Sequence, residues 1–254
     1  MRKKIFVGNW KMYKSPAQAK ELAKALLGLQ SRHEVVVCPP YVSLPAVSAV
    51  IKKSLIKLGA QNMYFEESGA YTGEISPLML KEVGVSHILL GHSERRTFFG
   101  ETNAMINRKM KLALDYHFTP ILCIGETAHE KGSHITDKVL ERQLREGLKG
   151  ITKSGILSSV IAYEPIWAIS RGDPDHKAAT PEDAEAAHRS IRSFISRLYD
   201  KEVGQKVRII YGGSVKPENI DALMAKKDVD GVLPGGASLD AKKFIRIVNY
   251  ETPA

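Results

Sequence analysis

The chain has 254 residues, 43% of them hydrophobic, which suits either two small domains or one α/β barrel with a large core. Its formal charge of +9 favours anionic ligands, but the basic residues are scattered, so nucleic acid is not an expected partner. No apolar stretch is long enough to span a membrane, and the first residues do not form a secretion signal. The sequence therefore predicts a cytoplasmic protein without a membrane or nucleic-acid partner.

Short apolar runs rich in β-branched residues recur along the whole chain, and each is followed by more polar sequence with helical patterning. The runs are continuous rather than alternating, which is typical of strands buried on both faces of a parallel sheet. They cover residues 5–7, 35–37, 56–60, 87–90, 121–124, 160–162, 207–210 and 231–233.

Helix-start signals lie between these runs. Ser15 before Pro16 predicts a helix over residues 17–29. Thr180, followed by a proline and two acidic residues, predicts a helix to Leu198. A weaker signal of the same kind, at residues 216–219, predicts another helix start.

Eight strands that alternate with helices, without an evident linker, predict one domain over residues 1–254 with the fold of a (β/α)8 barrel. An open doubly wound parallel sheet is the alternative that the same pattern allows. The barrel is favoured because the unusual polar residues follow the C-terminal ends of the apolar runs, where barrel active sites form.

Two cysteines, Cys38 and Cys123, each lie within an apolar run. This setting predicts buried, reduced thiols rather than a disulfide or a metal site.

Five of the strand ends carry residues that could take part in catalysis or binding. Each one alone has an ordinary interpretation as a turn residue, a solvated charge or a helix cap. Their occurrence together, at the same end of the predicted barrel, favours a functional site. They are Asn9 with Lys11, His92, Glu164, the turn 212–214 and the turn 235–236.

Glu164 ends the sixth run and is followed by Pro165, which cannot continue a strand ladder and stiffens the turn. Trp167 and Ile169 supply apolar cover, and a dry environment makes a carboxylate a stronger base. The glycine turns present free N–H groups that suit a phosphate. The set predicts proton abstraction beside a carbonyl in a small phosphorylated molecule.

Long motifs across nearly the whole chain resemble those of the triosephosphate isomerase family. They are GNWKM at 8–12, GAQN at 59–62, GAYTGE at 69–74, GHSERR at 91–96, CIGET at 123–127 and VIAYEPIWAI at 160–169. The resemblance implies a TIM barrel and an aldose–ketose isomerase of glycolysis and gluconeogenesis, which interconverts dihydroxyacetone phosphate and D-glyceraldehyde 3-phosphate. It also implies no metal and no organic cofactor, because the substrate's own carbonyl stabilises the carbanion.

The resemblance implies a role for each site residue. Glu164 would be the base, clamped in an apolar setting by Ile169 and Leu233. His92 would be a neutral electrophile beside the enediolate, since the helix N-terminus that starts at Ser93 disfavours its charged form.

The remaining implied roles concern negative charge. Asn9 would donate a hydrogen bond to the developing oxyanion, and Lys11, positioned by Glu94, would offset the charge of the phosphate and the intermediate. The backbone N–H groups that would hold the phosphate are those of Ser170, Ser214, Gly235 and Gly236.

The family is usually a homodimer in which the third βα loop of one subunit enters the other. In this chain that loop is residues 61–74, with Thr72 at its tip, and Thr72 would meet Lys11 of the other subunit. An ordinary surface excursion is the alternative. The apolar residues 63–65 favour the dimer, because they would be poorly placed in water.

The lid at residues 170–179 departs from the family, since it contains four extra residues that are best placed at 173–176. Ser170 replaces a glycine but keeps an N–H group for the phosphate. Arg171 would contact the phosphate or, as we favour, pair with acidic neighbours at the surface; no role is evident for His176. We expect the lid to close with altered rates.

The lid insertion is the only sequence support for an alternative function, a catalytically weak barrel that binds a phosphorylated ligand. The presence of the base and its three partner residues argues against it. A third interpretation, a barrel enzyme of another kind, would need a different base, and none is evident.

Overall fold

The computed structural model describes residues 2–169 and 178–251, and its strands form a closed barrel in the order β1 to β8, in which neighbouring strands run parallel. Closure through β1 and β8 confirms the (β/α)8 fold and excludes the open doubly wound sheet. The strands are β1 (Ile5–Asn9), β2 (Glu34–Cys38), β3 (Ile56–Ala60), β4 (His87–Leu90), β5 (Thr119–Ile124), β6 (Val160–Tyr163), β7 (Arg208–Tyr211) and β8 (Gly231–Val232).

Helices connect the strands. They are α1 (Pro16–Ala25), α2 (Leu44–Ile51), α3 (Pro77–Glu82), α4 (Ser93–Phe98), α5 (Asn103–Asp115), α6 (Ala128–Gly132), α7 (Thr136–Gly147), α8 (Lys153–Leu157), α9 (Pro181–Leu198), α10 (Lys201–Lys206), α11 (Ile220–Met224) and α12 (Ala241–Val248). Within the described ranges, no helix is long and apolar enough to cross a bilayer.

The helix-start signals at Ser15 and Thr180 are confirmed as capping boxes. The Ser15 side chain accepts from the N–H of Gln18, and Thr180 forms the equivalent pair with Asp183. These contacts satisfy amide groups that the first turn of a helix leaves free. The helix start predicted at 216–219 is wrong, because the N–H of Lys216 donates to the Asn219 side chain and closes a turn, so that α11 begins only at Ile220.

The barrel has two apolar layers. Inward-facing side chains such as Val7, Leu89 and Ile210 fill its interior. The opposite faces of the strands pack with the helices in a larger outer layer. Most of the strands are therefore apolar on both faces, which explains the continuous runs in the sequence. Cys38 and Cys123 are buried and unpaired, as predicted.

The closure of the barrel depends on a very short strand. Gly231 and Val232 of β8 pair with Ile5 and Phe6 of β1. A Cβ atom at Gly231 would lie 1.8 Å from the carbonyl oxygen of Ile5, so only glycine allows the two backbones to approach this closely.

Candidate active site

A cavity of about 940 Å³ opens at the C-terminal end of the barrel. This is the end where carboxyl termini of parallel strands deliver their following residues. Most of the predicted site residues line it, namely Asn9, Lys11, His92, Glu94, Ile169, Ser214, Leu233, Gly235 and Gly236. Ser170 lies outside the described residues, as do Arg171 and the predicted insertion at 173–176 with His176.

Glu164 lies behind the cavity wall and is only 2% exposed. Its Oε2 atom accepts a hydrogen bond of 2.9 Å from the N–H of Ser93, and its Oε1 atom lies 3.2 Å from His92 Nε2. Gly212 makes room for the carboxylate, since a Cβ atom there would lie 2.8 Å from Glu164 Cγ. A buried carboxylate is thus held by neutral donors at the start of α4.

His92 precedes the first turn of α4 and caps it. Its Nδ1 atom accepts from the N–H of Glu94 at 3.2 Å. A ring nitrogen that accepts a hydrogen bond carries no proton, so the geometry assigns the proton of a neutral imidazole to Nε2. That N–H faces both Glu164 and the cavity, where it can donate to an oxygen of a ligand.

Lys11 has a left-handed backbone conformation, with φ of 50°. Two contacts hold this conformation: its N–H donates to Asn9 Oδ1 at 3.0 Å, and its carbonyl accepts from Gln61 Nε2 at 2.7 Å. The ammonium group lies 2.6 Å from Glu94 Oε1. A non-glycine residue in this region is strained, and its presence beside a cavity is typical of a functional site.

Two glycine turns form the opposite side of the cavity. Gly235 and Gly236 lead into a 3-10 helix over Gly236–Leu239. Neither of their main-chain N–H groups donates to an acceptor in residues 2–169 or 178–251, although both residues line the cavity. Free amides beside the ammonium of Lys11 are suited to an anion such as a phosphate.

Glu126 binds side chains on both sides of Glu164 in the sequence. The Oε1 atom of Glu126 accepts from the Tyr163 hydroxyl at 3.0 Å and from Trp167 Nε1 at 2.8 Å. Burial raises the pKa of Glu126 above its ordinary value. The Lys131 ammonium lies 3.3 Å from the centroid of the Trp167 ring, which adds a cation–π contact.

The loop 61–74 does not present its apolar residues to water in the way that the sequence suggested. Met63 is fully buried in the core, and Tyr64 and Phe65 are partly buried and stack with centroids 4.2 Å apart. Thr72 is exposed and contributes nothing to the cavity of its own chain.

Several large apolar side chains are exposed in this loop and in other loops and short helices, and two of them, Tyr13 and Phe98, line the cavity. Met12 is 94% exposed and Val42 is 74% exposed. The remaining members of this set are Tyr13, Tyr71, Leu78, Met79, Phe98 and Phe99. A contiguous patch of such side chains would be typical of an interaction surface.

Sequence reasoning missed two contributors to the site. The N–H of Ser93 binds Glu164, and Gln61 donates to the carbonyls of both Lys11 and Cys38. Neither could be assigned from the sequence, because one is a backbone group and the other is a polar residue that follows a strand without a charged partner. No cluster of three or more His, Cys, Asp or Glu side chains that could hold a metal occurs in the described part of the chain.

The sequence profile of the family described as "Triosephosphate isomerase" matches residues 4–251. Among curated relatives, the triosephosphate isomerase of Clostridium botulinum (strain Okra / Type B1) is 53% identical over 252 residues, which cover 98% of this chain and 100% of the relative. That of Caldanaerobacter subterraneus subsp. tengcongensis is 51% identical with the same coverage. That of Dictyoglomus thermophilum is 48% identical over 251 residues, 98% of this chain and 99% of the relative.

Proposed function

This chain belongs to the triosephosphate isomerase family and interconverts dihydroxyacetone phosphate and D-glyceraldehyde 3-phosphate, and we propose that Glu164 is the base that moves the proton. The observation that carries this proposal is the placement of the Glu164 carboxylate. It is buried at the end of β6, 3.2 Å from a neutral imidazole nitrogen that also lines the cavity. No other buried carboxylate in the described residues has that position.

The reaction needs one base and no external electron carrier. Glu164 removes a proton from the hydroxymethyl carbon of dihydroxyacetone phosphate, the electron pair of that bond forms a double bond to the carbonyl carbon, and the carbonyl π pair moves onto its oxygen. The proton returns to the former carbonyl carbon, and a hydroxyl proton passes between the two oxygens of the enediolate. The product is an isomer with no net oxidation, which supports the expectation that no cofactor takes part.

His92 supplies the donor for the enediolate oxygens. Because its Nδ1 atom accepts from α4, its Nε2–H is available at the cavity without a positive charge. A neutral donor can exchange a proton with an oxygen of similar basicity, whereas a charged one would transfer it too readily. Asn9 presents its amide to the same cavity and would donate to the developing oxyanion.

Lys11 and the glycine turns would hold the phosphate. The ammonium of Lys11 is paired with Glu94 and lies on the side of Gly235, whose hypothetical Cβ atom would be 3.8 Å from the Lys11 Nζ atom. The phosphate would then receive N–H donors from Ser214, Gly235 and Gly236 and a cation from Lys11. Ile169 and Leu233 line the cavity and would cover Glu164 from water. Ser170 remains a predicted donor from outside the described residues.

We also propose a homodimer. The support is the set of exposed apolar side chains that includes Met12 and Met79. A second copy is the occupant favoured by the family, with Thr72 of one subunit reaching Lys11 of the other. Replacement of Met79 by Asp should raise the monomer fraction in analytical ultracentrifugation, whereas the same change at Leu157, on α8, should not. Unchanged sedimentation of the Met79 variant would contradict the proposal.

The function is tested by steady-state isomerisation of glyceraldehyde 3-phosphate with the wild-type protein and Glu164→Gln. The amide cannot take the carbon-bound proton, so turnover should be lost while the unfolding midpoint in urea stays close to that of the wild type. Retained turnover in the variant would exclude Glu164 as the base. Absent turnover in a folded wild-type dimer would instead support the barrel that only binds a phosphorylated ligand. A single domain and a cytoplasmic location stay predictions from the sequence.

A further inference from the structure

The C-terminal end of β5 extends beyond the neighbouring strand β4. Leu90, the last residue of β4, pairs with Leu122. Gly91, with φ of 71°, then turns the chain away toward α4. The backbone of β5 after Leu122 therefore has no strand partner on that side, and its polar groups need other partners.

Beyond the end of β4, two side chains form the hydrogen bonds that a neighbouring strand would otherwise form with β5. Arg96 Nη2 donates to the carbonyl of Cys123 at 3.0 Å. Gln143 of α7 forms a pair of hydrogen bonds with Gly125: the N–H of Gly125 donates to Gln143 Oε1 at 2.8 Å, and Gln143 Nε2 donates to the carbonyl of Gly125 at 3.1 Å. A single amide side chain thus reproduces the donor and acceptor pattern of a strand.

On its other side, the end of β5 holds Glu164. The N–H of Glu164 donates to the carbonyl of Ile124 at 2.7 Å, and the N–H of Ile166 donates to the carbonyl of Glu126 at 3.0 Å. Gly125 lies between these two bonds, and a Cβ atom at Gly125 would lie 1.8 Å from the carbonyl oxygen of Glu164. The position of Gly125 therefore determines the position of the Glu164 backbone.

We propose that Gln143 is a positioning residue for the catalytic base, acting through Gly125. The inference rests on the proposed role of Glu164. Gln143 is buried on a face of α7 that otherwise presents apolar residues such as Leu140 and Leu144. An amide in that place needs partners for both of its polar atoms, and Gly125 provides them.

The test is Gln143→Met, which keeps the length of the side chain and removes both hydrogen bonds. A displacement of a reacting group by about 1 Å costs about 100-fold in rate, so we expect kcat to fall about 10- to 100-fold. The KM for dihydroxyacetone phosphate and competitive inhibition by inorganic phosphate should stay within about twofold, because the phosphate turns lie elsewhere in the barrel.

Asn107→Leu is the matched control. Asn107 is also a buried amide, and its Nδ2 atom donates to the carbonyls of Gly147 and Lys149 at 2.9 Å each. Its loss should lower the urea midpoint without lowering kcat. An unchanged kcat in folded Gln143→Met, or an equal loss of kcat in Asn107→Leu, would overturn the proposal.

Gln143→Glu adds a test that does not depend on stability. A protonated carboxyl group can make both contacts with Gly125, whereas a carboxylate repels its carbonyl. The ratio of variant to wild-type kcat should therefore rise as the pH falls, and a ratio that is flat with pH would contradict the role. Glu164→Gln, measured beside it, separates the two proposals: if that variant keeps its turnover, the assignment of the base fails, whatever Gln143 does.

Discussion

Glu34 and Glu164 are buried carboxylates at opposite ends of the barrel, and their surroundings differ in charge. Glu34 begins β2 at the N-terminal end and lies 2.6 Å from Lys57 Nζ and 3.2 Å from His87 Nε2, with Arg208 on its second oxygen. Glu164 follows β6 at the C-terminal end and is held by the Ser93 amide and the neutral ring of His92.

The difference indicates a stabilising role for Glu34 and suits a catalytic role for Glu164. Burial acts to raise the pKa of Glu34, but the adjacent His87 ring and hydrogen bonds from Lys57 and Arg208 outweigh it and hold the pKa well below its ordinary range. A carboxylate held in this way does not accept a proton near neutral pH. No lysine or arginine of the described residues forms an ion pair with Glu164, and this arrangement suits its proposed role as a base. This fits the general division of barrels into a stabilising and a catalytic end.

Shortening Glu164 should produce the largest effect. Glu164→Asp withdraws the carboxylate by one methylene, so kcat should fall by about 1,000-fold, or about 4 kcal/mol in the activation barrier. Inhibition by inorganic phosphate should be nearly unchanged, because the proposed phosphate site does not include this residue. The measurement is kcat with the phosphate inhibition constant. Equal losses in both would show that Glu164 supports binding rather than proton transfer.

Neutralising Glu34 should lower stability and leave kcat unchanged, the reverse of the effect expected at Glu164. Glu34→Gln leaves the positive charges of Lys57 and Arg208 without their counter-ion, which should cost about 3 kcal/mol of unfolding free energy. The kcat of the folded protein should not change, since the cluster lies at the far end of the barrel. Urea unfolding measures the free energy of unfolding, and steady-state kinetics measure kcat.

The control for this variant is Glu182→Gln. It removes an exposed carboxylate that pairs with Lys226 at 2.5 Å, and it should not shift the urea midpoint measurably. A loss of kcat in Glu34→Gln would contradict the separation between the two ends.

A smaller effect should appear in the pH dependence of stability. Burial lowers the pKa of His188 to about 4, and its Nδ1 atom lies 3.1 Å from the carbonyl of Asp228. The unfolded chain therefore binds a proton at His188 below about pH 6.5, which the folded chain does not bind until about pH 4. Stability should fall by about 2 kcal/mol between pH 7 and pH 5 from this residue.

His188→Gln should remove that part of the slope, whereas His129→Gln, at an exposed histidine, should not. Glu34 does not contribute in this window, since its stabilisation is lost only below the ordinary pKa of a glutamate. The measurement is the urea midpoint at several pH values. A slope in His188→Gln equal to that of the wild type would assign the acid sensitivity to other groups, including His87, whose pKa is also lowered by burial.

The sequence predicted element boundaries closely where apolar runs and helix-capping residues coincide with the strands and helices of the barrel. The strands Ile56–Ala60 and His87–Leu90 and the helix Pro181–Leu198 have the predicted boundaries. Prediction failed at 216–219, where a proline and an acidic residue are compatible with a turn as well as with a helix start. Helix α1 also ends at Ala25 rather than at 29, because the pattern of apolar residues continues into the loop.

The residues expected at the cavity could be found because each follows a strand, and strand ends converge in a barrel. Gln143 could not be assigned in this way, since it reaches Gly125 from the middle of a helix. The cluster around Glu34 was also missed, because its members lie on four different strands and only the closed barrel brings them together. A polar residue in an apolar helical stripe is the one sequence signal that Gln143 offers.

The two-residue strand β8 has a consequence for how the protein is made. It is the last strand in chain order, and the N–H of Asn9 receives its acceptor from the carbonyl of Pro234, just after it. During synthesis, the first site residues leave the ribosome long before the strand that completes their surroundings. A nascent chain would therefore leave both barrel edges unpaired, and the proposed phosphate site incomplete, until β8 and the turn after it have emerged.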